Sequence, residues 1–280
     1  MSGAHRFDRF DRDIEGPRPT SYLPAIKMPS HSRAHLVLVC CHATFRGGNP
    51  DEEASWILQG FQQSDTKGKV GEHHTFMQHI AAGAAILSQD PESLLIFSGG
   101  KTQTQIDLSE AESYLRVGLL KKFWQDEQSD RCAVESQATD SYQNLLFSII
   151  QFWRLTGSFP ARITVITHAF KERRFLELHA PAIKYPAEGL RVLGINPPMN
   201  LADLQDVQSG EVLRGYAVFS TDLYGVRDPV HSKRIVRGWC PENIKAMMNG
   251  LQSEVKRLLE WSGGVTGNEV LPDKLPWEGC

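Results

Sequence analysis

Four groups of polar side chains each follow an apolar run of the kind that forms a buried strand. They occupy positions 41–48, 98–110, 135–144 and 167–174. The carboxyl ends of parallel strands meet at one edge of a sheet, so we expect the four groups to converge. Their glycine amides, basic side chains and carboxylates are groups that hold anions and transfer protons.

The run at 94–100 reads Leu-Leu-Ile-Phe-Ser-Gly-Gly, a buried strand that ends in a small-residue turn. Glycine lets a ligand approach the backbone and leaves amides free to meet an anion. We therefore predict that Ser98, Gly99 and Gly100 bind a ligand. The alternative is a tight turn that only joins a strand to the next helix.

Basic and hydroxyl side chains at the other strand ends complete the predicted ligand-binding set. Lys171 and Arg174 are expected to hold a phosphate or carboxylate. Ser141, Asn144 and Thr167 are expected to orient the ligand. The alternative for Lys171 and Arg174 is an ordinary solvated face.

Three carboxylates are the predicted catalytic groups: Glu110, Glu135 and Asp140. They could act as acid, base or hydroxyl acceptor, or bind a divalent cation of unknown identity. Capping is the alternative for Asp140 or Ser141, with Gln143 completing a capping box. Glu110 would also favour a helix N-terminus without any catalytic role.

Two other clusters are not expected to carry chemistry. His73 and His74 with His79 suggest a metal site, but the pair at 74 and 79 lacks the i, i+4 spacing of a helical metal site, so surface histidines are expected. Cys41 and His42 are neighbours on a strand and should point to opposite faces, which excludes a nucleophile pair.

Strands and helices alternate along the chain, which predicts a parallel sheet with helices on both faces. Strands are predicted at 36–41, 94–98, 132–134, 163–167 and 190–195, and helices at 72–87, 109–123, 142–153, 173–179 and 241–261. The expected buried stripe of the second helix is Leu115, Leu119, Leu120 and Phe123. Segment 200–240 has no clear pattern. Tyr216, Asp222, Tyr224 and Arg227 there suggest a lid over the site, or else a surface excursion.

Composition predicts one α/β domain at 34–262, between a flexible arm at 1–33 and a loose tail at 263–280. The net charge of −3 gives no sign of nucleic-acid binding. No secretory signal or apolar run near the roughly 20 residues of a membrane span is present, which predicts a cytoplasmic protein without a membrane partner. The five cysteines include no C-x-x-C pair, which argues against disulfides and structural zinc.

The four clusters together resemble domain-of-unknown-function family 218 (DUF-218), which includes the YdcF, SanA and ElyC proteins. The matching residues are Ser98-Gly99-Gly100, then Ser109-Glu110-Ala111, then Glu135 with Ser141 and Asn144, and finally Thr167, Phe170 and Arg174. The resemblance covers roughly 35–200 and implies a Rossmann-like three-layer α/β/α sandwich. Segments 170–175, 194–198 and 224–225 look like the eukaryotic, mostly fungal branch.

This chain departs from the family pattern at three positions. Ala138 stands in place of a serine, Ser141 in place of a threonine, and Lys171 in place of a histidine. The missing histidine puts in doubt any chemistry that needs an imidazole there. The resemblance supplies no reaction, because the family's biochemical role is largely unassigned.

The residues favour an enzyme, a hydrolase or transferase, that acts on an anionic small molecule of the phosphorylated or nucleotide-like type. One alternative is a module that binds a nucleotide or an S-adenosylmethionine-like ligand without catalysis. Another is a scaffold that binds partners through helices 142–153 or 241–261.

Overall fold

The computed structural model describes residues 33–66 and 68–279. The predicted arm at 1–33 lies outside this range except for Arg33, which donates to the backbone carbonyls of Pro91 and Ser93. Within the described residues, no helix combines the length and apolar character needed to cross a membrane.

Five parallel strands form the central sheet, and two short strands form a separate hairpin. The strands are β1 His35–Cys40, β2 Thr44–Phe45, β3 Trp56–Ile57, β4 Ser93–Ser98, β5 Cys132–Glu135, β6 Arg162–Thr167 and β7 Leu190–Gly194. The helices are α1 His73–Gln89, α2 Glu110–Leu120, α3 Ser141–Thr156, α4 Glu172–Arg174, α5 Ala180–Ala182, α6 Leu201–Glu211, α7 Ala217–Thr221, α8 Val230–Val236, α9 Pro241–Met247 and α10 Ser253–Glu260.

Helices cover both faces of the sheet, which confirms the predicted three-layer α/β/α class. Side chains alternate along each strand, so Val37 and Val39 of β1 pack under α1 and α2. Leu36 and Leu38 face the opposite layer, where α3 and α10 lie. The strands are buried on both sides, which explains their continuous apolar sequences.

The strand order β5-β4-β1-β6-β7 places the first strand in the middle of the sheet. From β1 the chain adds β4 and β5 on one side and then crosses to β6 and β7 on the other. The topological switch point therefore lies between β1 and β6, where ligands bind in open α/β sheets.

Two longer helical segments are each built from three pieces. A π-helical turn at Phe175–His179 joins α4 to α5, and a second at Val212–Tyr216 joins α6 to α7. We call these the 172–182 helix and the 201–221 helix. The 201–221 helix packs against the 172–182 helix near the carboxyl edge of the sheet.

Two helix predictions need correction. The buried face of α2 holds Ala111, Tyr114, Val117 and Gly118, whereas Leu119 and Leu120 are exposed. Gly118 allows the helix to rest on Trp124, whose ring occupies the space of a Cβ there. The predicted helix at 241–261 is two helices, α9 and α10, separated near Gly250 at its positive φ of 77°.

The predicted loose tail at 263–280 is wrong for its second half. Leu271, Leu275 and Trp277 are at most 2% exposed and belong to the core beside α3. Trp277 Nε1 donates to the carbonyl of Ile183 at 2.8 Å, and its ring meets Phe159 edge to face. Buried apolar area and a satisfied indole N–H fix this segment to the domain.

Trp277→Ala should lower the free energy of unfolding by about 3–5 kcal/mol, because it opens a cavity and leaves the Ile183 carbonyl unpaired. Urea denaturation measures the change. Val265→Ala, in the same segment but 94% exposed, is the control and should change stability by less than about 0.5 kcal/mol. Equal stability of the two variants would contradict a docked tail.

Candidate functional site

The candidate site lies at the switch point, where β1 runs into His42 and β6 ends at Thr167. His42 is half-buried between the two strands. Its Nε2 lies 3.2 Å from Thr167 Oγ1, and its Nδ1 lies 3.3 Å from Lys171 Nζ. A lysine ammonium can only donate, so Nδ1 is the acceptor and the ring proton sits on Nε2. Neutral His42 therefore holds the Lys171 head group in place.

Lys171 carries a mostly buried positive charge at this edge. Burial, reinforced by the charge of Arg174, lowers its pKa to about 8. Throughout residues 33–66 and 68–279, no carboxylate forms an ion pair with it. Its side-chain hydrogen bond goes to uncharged His42. The carboxylates of Glu211 and Glu72 act on the ammonium only through space, without pairing with it directly. A desolvated cation without a paired opposite charge is costly, so the arrangement favours an anion from outside.

Arg174 lies close to Lys171 and is 11% exposed. Its Nε is 3.2 Å from Glu211 Oε1, and its guanidinium lies 5.8 Å from the ring centre of Phe219. Neither Nε nor that carboxylate oxygen has a hydrogen-bond partner of suitable geometry. The two charges thus attract each other without the aligned contact that strengthens an arginine–carboxylate pair.

Three histidines form an uncharged wall beside the lysine. His42 and His168 rings lie 4.5 Å apart, and His79 contacts both. Burial, and then the charge of Lys171, holds the pKa values of His42 and His168 well below the ordinary range. Burial together with His168 lowers the pKa of His79 to about 3. A neutral wall avoids repulsion of the ammonium.

The prediction of surface histidines is wrong for His73 and His79, which are buried, whereas His74 is exposed. His79 is fully buried on α1, and its Nε2 hydrogen bonds the carbonyl of Ile195 at 2.9 Å. It follows Phe76 by three residues and precedes Gly83 by four, so it lies on the buried face of α1.

Ser98, Glu135 and Asn144 form an internal brace rather than an open ligand site. Ser98 Oγ donates to Glu135 Oε2 at 2.5 Å, and Asn144 Nδ2 donates to the Ser98 carbonyl at 2.8 Å. Glu135 Oε1 accepts from the amides of Gln137 and Ala138. These bonds tie β4, β5 and α3 together where the strands end.

The predicted role of Gly99 and Gly100 also needs correction, since their amides are not free. Gly99 N donates to the Glu135 carbonyl at 3.0 Å and Gly100 N to the Ala138 carbonyl at 2.7 Å. A Cβ on Gly99 would lie 3.0 Å or less from the Cβ atoms of Cys41 and Glu110. The glycines therefore allow close packing of the turn and do not present an anion-binding cradle.

Asp140 and Ser141 are likewise held by internal partners. Asp140 caps α3 by accepting from Gln143 N at 3.0 Å and pairs with Arg234 of α8. Burial raises the pKa of Asp140, but the charge and hydrogen bond of Arg234 outweigh this, and the net shift is downward. Ser141 Oγ lies 2.7 Å from His179 Nε2. The capping alternative is the one the contacts favour.

Glu110 differs from the other two predicted catalytic carboxylates because one of its oxygens accepts no hydrogen bond from the described residues. It is 9% exposed at the start of α2, and its Oε1 accepts from Thr102 Oγ1 at 2.5 Å. No side chain of the described residues donates to Oε2. Burial raises the pKa of this carboxyl against the opposing effects of Thr102, Arg237 and Lys171. A carboxyl group with a raised pKa keeps its proton at higher pH than an exposed one, which suits an acid/base group.

The three predicted catalytic carboxylates do not form a cation site, because the oxygens of Glu135 bind Ser98 and backbone amides and those of Asp140 bind Arg234 and a backbone amide. In the part of the chain that the structure describes, no three His, Cys, Asp or Glu side chains are arranged to hold a metal ion.

The 201–221 helix and α8 cover the crevice, although the predicted lid residues do not line it. Tyr224 is buried and donates to the Ala182 carbonyl, whereas Tyr216 donates to exposed Glu177. Asp222 accepts from two backbone amides of its own turn, and Arg227 donates to the carbonyl of Thr266. The cover reaches the site through other side chains, Glu211 and Arg234.

The structure thus brings Thr167, Lys171 and Arg174 together at the switch point and adds His42, His168 and Glu211. His42 is the second residue after β1 and His168 the first after β6, so their position at strand ends was a signal that could have identified them. Glu211 carries no comparable signal, since it lies in a polar helix far along the chain.

Comparisons with known proteins identify similarity but no activity. The chain is 26% identical over 255 residues to the uncharacterized protein YOR238W of Saccharomyces cerevisiae, covering 72% of this chain and 82% of the yeast protein. No family model matches the chain, and no solved structure matches it. Membership of DUF-218 therefore stays a prediction.

Glu135→Gln should destabilise the protein by about 1–3 kcal/mol, because the amide presents a donor to a site that holds three donors. Burial raises the Glu135 pKa from 4.5 to about 7. The Glu135 carboxyl therefore binds its proton more tightly in the native state than in the unfolded state. Its contribution to the free energy of unfolding is fully present below pH 4.5 and is lost as the pH rises to about 7.

Urea denaturation across this pH range tests the assignment. The difference in the free energy of unfolding between wild type and Glu135→Gln should shrink with rising pH and then level off. Exposed Glu127→Gln is the control and should follow wild type at every pH. A pH-independent difference would show that Glu135 is not the buried titrating group.

Proposed function

We propose that this protein is an enzyme acting on an anionic small molecule, phosphorylated or nucleotide-like, in the crevice between β1 and β6. The observation that carries the proposal is Lys171, a mostly buried ammonium at the switch point whose side-chain hydrogen bond goes to a neutral histidine. Negative charge on a ligand would supply the direct ion pair that no carboxylate of the described residues forms with Lys171.

Each side chain of the crevice has a role in this proposal. Lys171 holds the anion, and His42, fixed by Thr167, orients the ammonium. Arg174 provides a second cation with a planar guanidinium suited to phosphate or carboxylate. Glu110 is the acid/base group, because it is buried and no side chain of the described residues donates to its Oε2. The reaction class we propose is hydrolysis or group transfer.

A binding module without turnover is the second candidate, with a nucleotide or S-adenosylmethionine-like molecule as its ligand. The observation that favours it is that Glu135 and Asp140 are bound by partners within the protein. Of the three predicted catalytic carboxylates, this leaves Glu110 to act as acid or base. We also propose that the chain belongs to DUF-218, on the order and spacing of its four motifs.

Lys171→Met should weaken binding of sulfate, a dianion across neutral and basic pH, by more than about tenfold. The loss follows from removing the cation while keeping an unbranched apolar stem. Isothermal titration measures the affinity. Since the Lys171 pKa is about 8, wild-type affinity should also fall as pH rises above that value, and the variant should lack this fall.

Lys233→Met is the matched control, because Lys233 is an exposed lysine on the cover. It should bind sulfate like wild type. Equal sulfate affinity for wild type and Lys171→Met would remove the lysine, and with it the crevice, from the proposal.

Glu110→Gln should lower turnover by about a hundredfold or more, because the amide cannot exchange a proton with the substrate. The assay panel holds nucleotides, nucleotide sugars, sugar phosphates, phospho-amino acids and S-adenosylmethionine, each with and without magnesium or manganese. Sulfate binding should survive the substitution.

Asp107→Asn is the control for this variant, since Asp107 is 93% exposed in the loop before α2. Turnover that persists in Glu110→Gln would exclude the glutamate as acid or base. Sulfate binding by wild type with no product from any panel compound would favour the binding module over the enzyme.

A further inference from the structure

Arg174 and Glu211 form an ion pair that joins the two helices beside the crevice. The side chains are 11% and 12% exposed, and their nearest atoms lie 3.2 Å apart. Arg174 Nε and Glu211 Oε1 nevertheless lack a hydrogen bond. A carboxylate dedicated to this arginine would be expected to align with it in the fork geometry that guanidinium and carboxylate favour.

Both members of the pair directly precede a π-helical turn. Arg174 precedes the turn at Phe175–His179, and Glu211 precedes the turn at Val212–Tyr216. Single π turns inside helices are frequent at functional sites. Gly215 permits the close approach, because a Cβ there would lie 2.7 Å from Arg174 Nη1 and 2.6 Å from Glu211 Oε1.

The charge of Glu211 acts on both cations of the crevice. Its carboxylate opposes the lowering of the pKa values of Arg174 and Lys171. Glu211 thus supplies negative charge in the part of the site where, under the proposed function, a ligand's anion would lie. Release of this carboxylate would leave two adjacent positive charges, which match the two negative charges of a phosphate group.

We propose that Lys171 and Arg174 together bind the dianionic phosphate group of the ligand, and that Glu211 occupies the Arg174 half of this subsite until the phosphate displaces it. This inference rests on the proposed function, because it assigns the ligand class and the competitor at the same crevice. The 201–221 helix then moves away from Arg174 when phosphate binds, since the two anions repel each other.

A second contact between the same helices provides a control. Exposed Glu177 accepts from Arg173 and from Tyr216, and so joins the 172–182 helix to the 201–221 helix outside the crevice. Glu177→Gln weakens the packing of the helices without changing the buried charge. Glu211→Gln removes the buried charge and keeps the side-chain volume.

The experiment measures inorganic phosphate and acetate affinity by isothermal titration at constant ionic strength. Glu211→Gln should bind phosphate at least about fivefold more tightly than wild type, the lower end of usual coupling between competing groups. Glu177→Gln should match wild type. The gain should vanish when Arg174→Met is added, and acetate should gain less than phosphate.

Hydrogen–deuterium exchange on the wild-type protein gives a measurement that does not depend on the folding of any variant. Saturating phosphate should speed amide exchange in the 201–221 helix, because its buried ion pair is broken. Unchanged or slower exchange there would overturn the displacement of Glu211.

The outcomes separate this inference from the proposed function. Phosphate binding that depends on Lys171 but does not tighten in Glu211→Gln would overturn the inference and keep the function. If phosphate affinity rises equally in Glu211→Gln and Glu177→Gln, loosened helix packing would explain the gain and charge competition would be overturned. If acetate affinity rises as much as phosphate affinity, the assignment of a dianionic ligand would be overturned. Absence of Lys171-dependent phosphate binding in every variant would overturn both proposals.

Discussion

Lys171 is a positive charge near the middle of a parallel sheet, and no carboxylate of the described residues pairs with it directly. The carboxyl edge is organised around this constraint. Lys171 can remain charged there only if its neighbours stay neutral or negative. Burial keeps His42 and His168 uncharged, and the proton that His42 carries on Nε2 is directed to Thr167, which leaves Nδ1 for the ammonium. The strand ends supply this environment because β1 and β6 diverge to helices on different faces.

Two acidic side chains of the same edge, Glu135 and Asp140, are bound by partners of their own. Glu135 is enclosed by one hydroxyl and two amides, and Asp140 by a helix N-terminus and Arg234. Both carboxylates link neighbouring secondary-structure elements. They lie near the crevice because of the sheet topology, and not because they act together with Lys171. Glu110 differs because its Oε2, which packs beside Gly99, accepts no hydrogen bond from the described residues.

Local sequence patterns predicted the strands well because each is buried on both faces and reads as a continuous apolar run. Patterns failed where small residues decide packing: Gly118 brings α2 down on Trp124, and the leucines expected in its core turn outward. Local sequence patterns also failed to predict contacts between residues that are far apart in the chain. Trp277 docks on Phe159 across the domain, and Glu211 meets Arg174 through two π turns that no spacing rule anticipates. The four strand-end groups do lie at the carboxyl edge of the parallel sheet, but Glu135 and Asp140 are bound there by internal partners.

The cover over the crevice makes a physical difference to any ligand. An open cleft with two cations would attract every small anion, whereas a cleft whose arginine faces an internal carboxylate accepts an anion only if it interacts with Arg174 more strongly than Glu211 does. The poor alignment of the Arg174–Glu211 contact keeps that barrier low, since a misaligned pair loses less on separation than a bidentate one. Under the proposed displacement, the 201–221 helix sets both the closure of the crevice and its selectivity among anions, because it carries the Glu211 carboxylate that faces the Arg174 guanidinium.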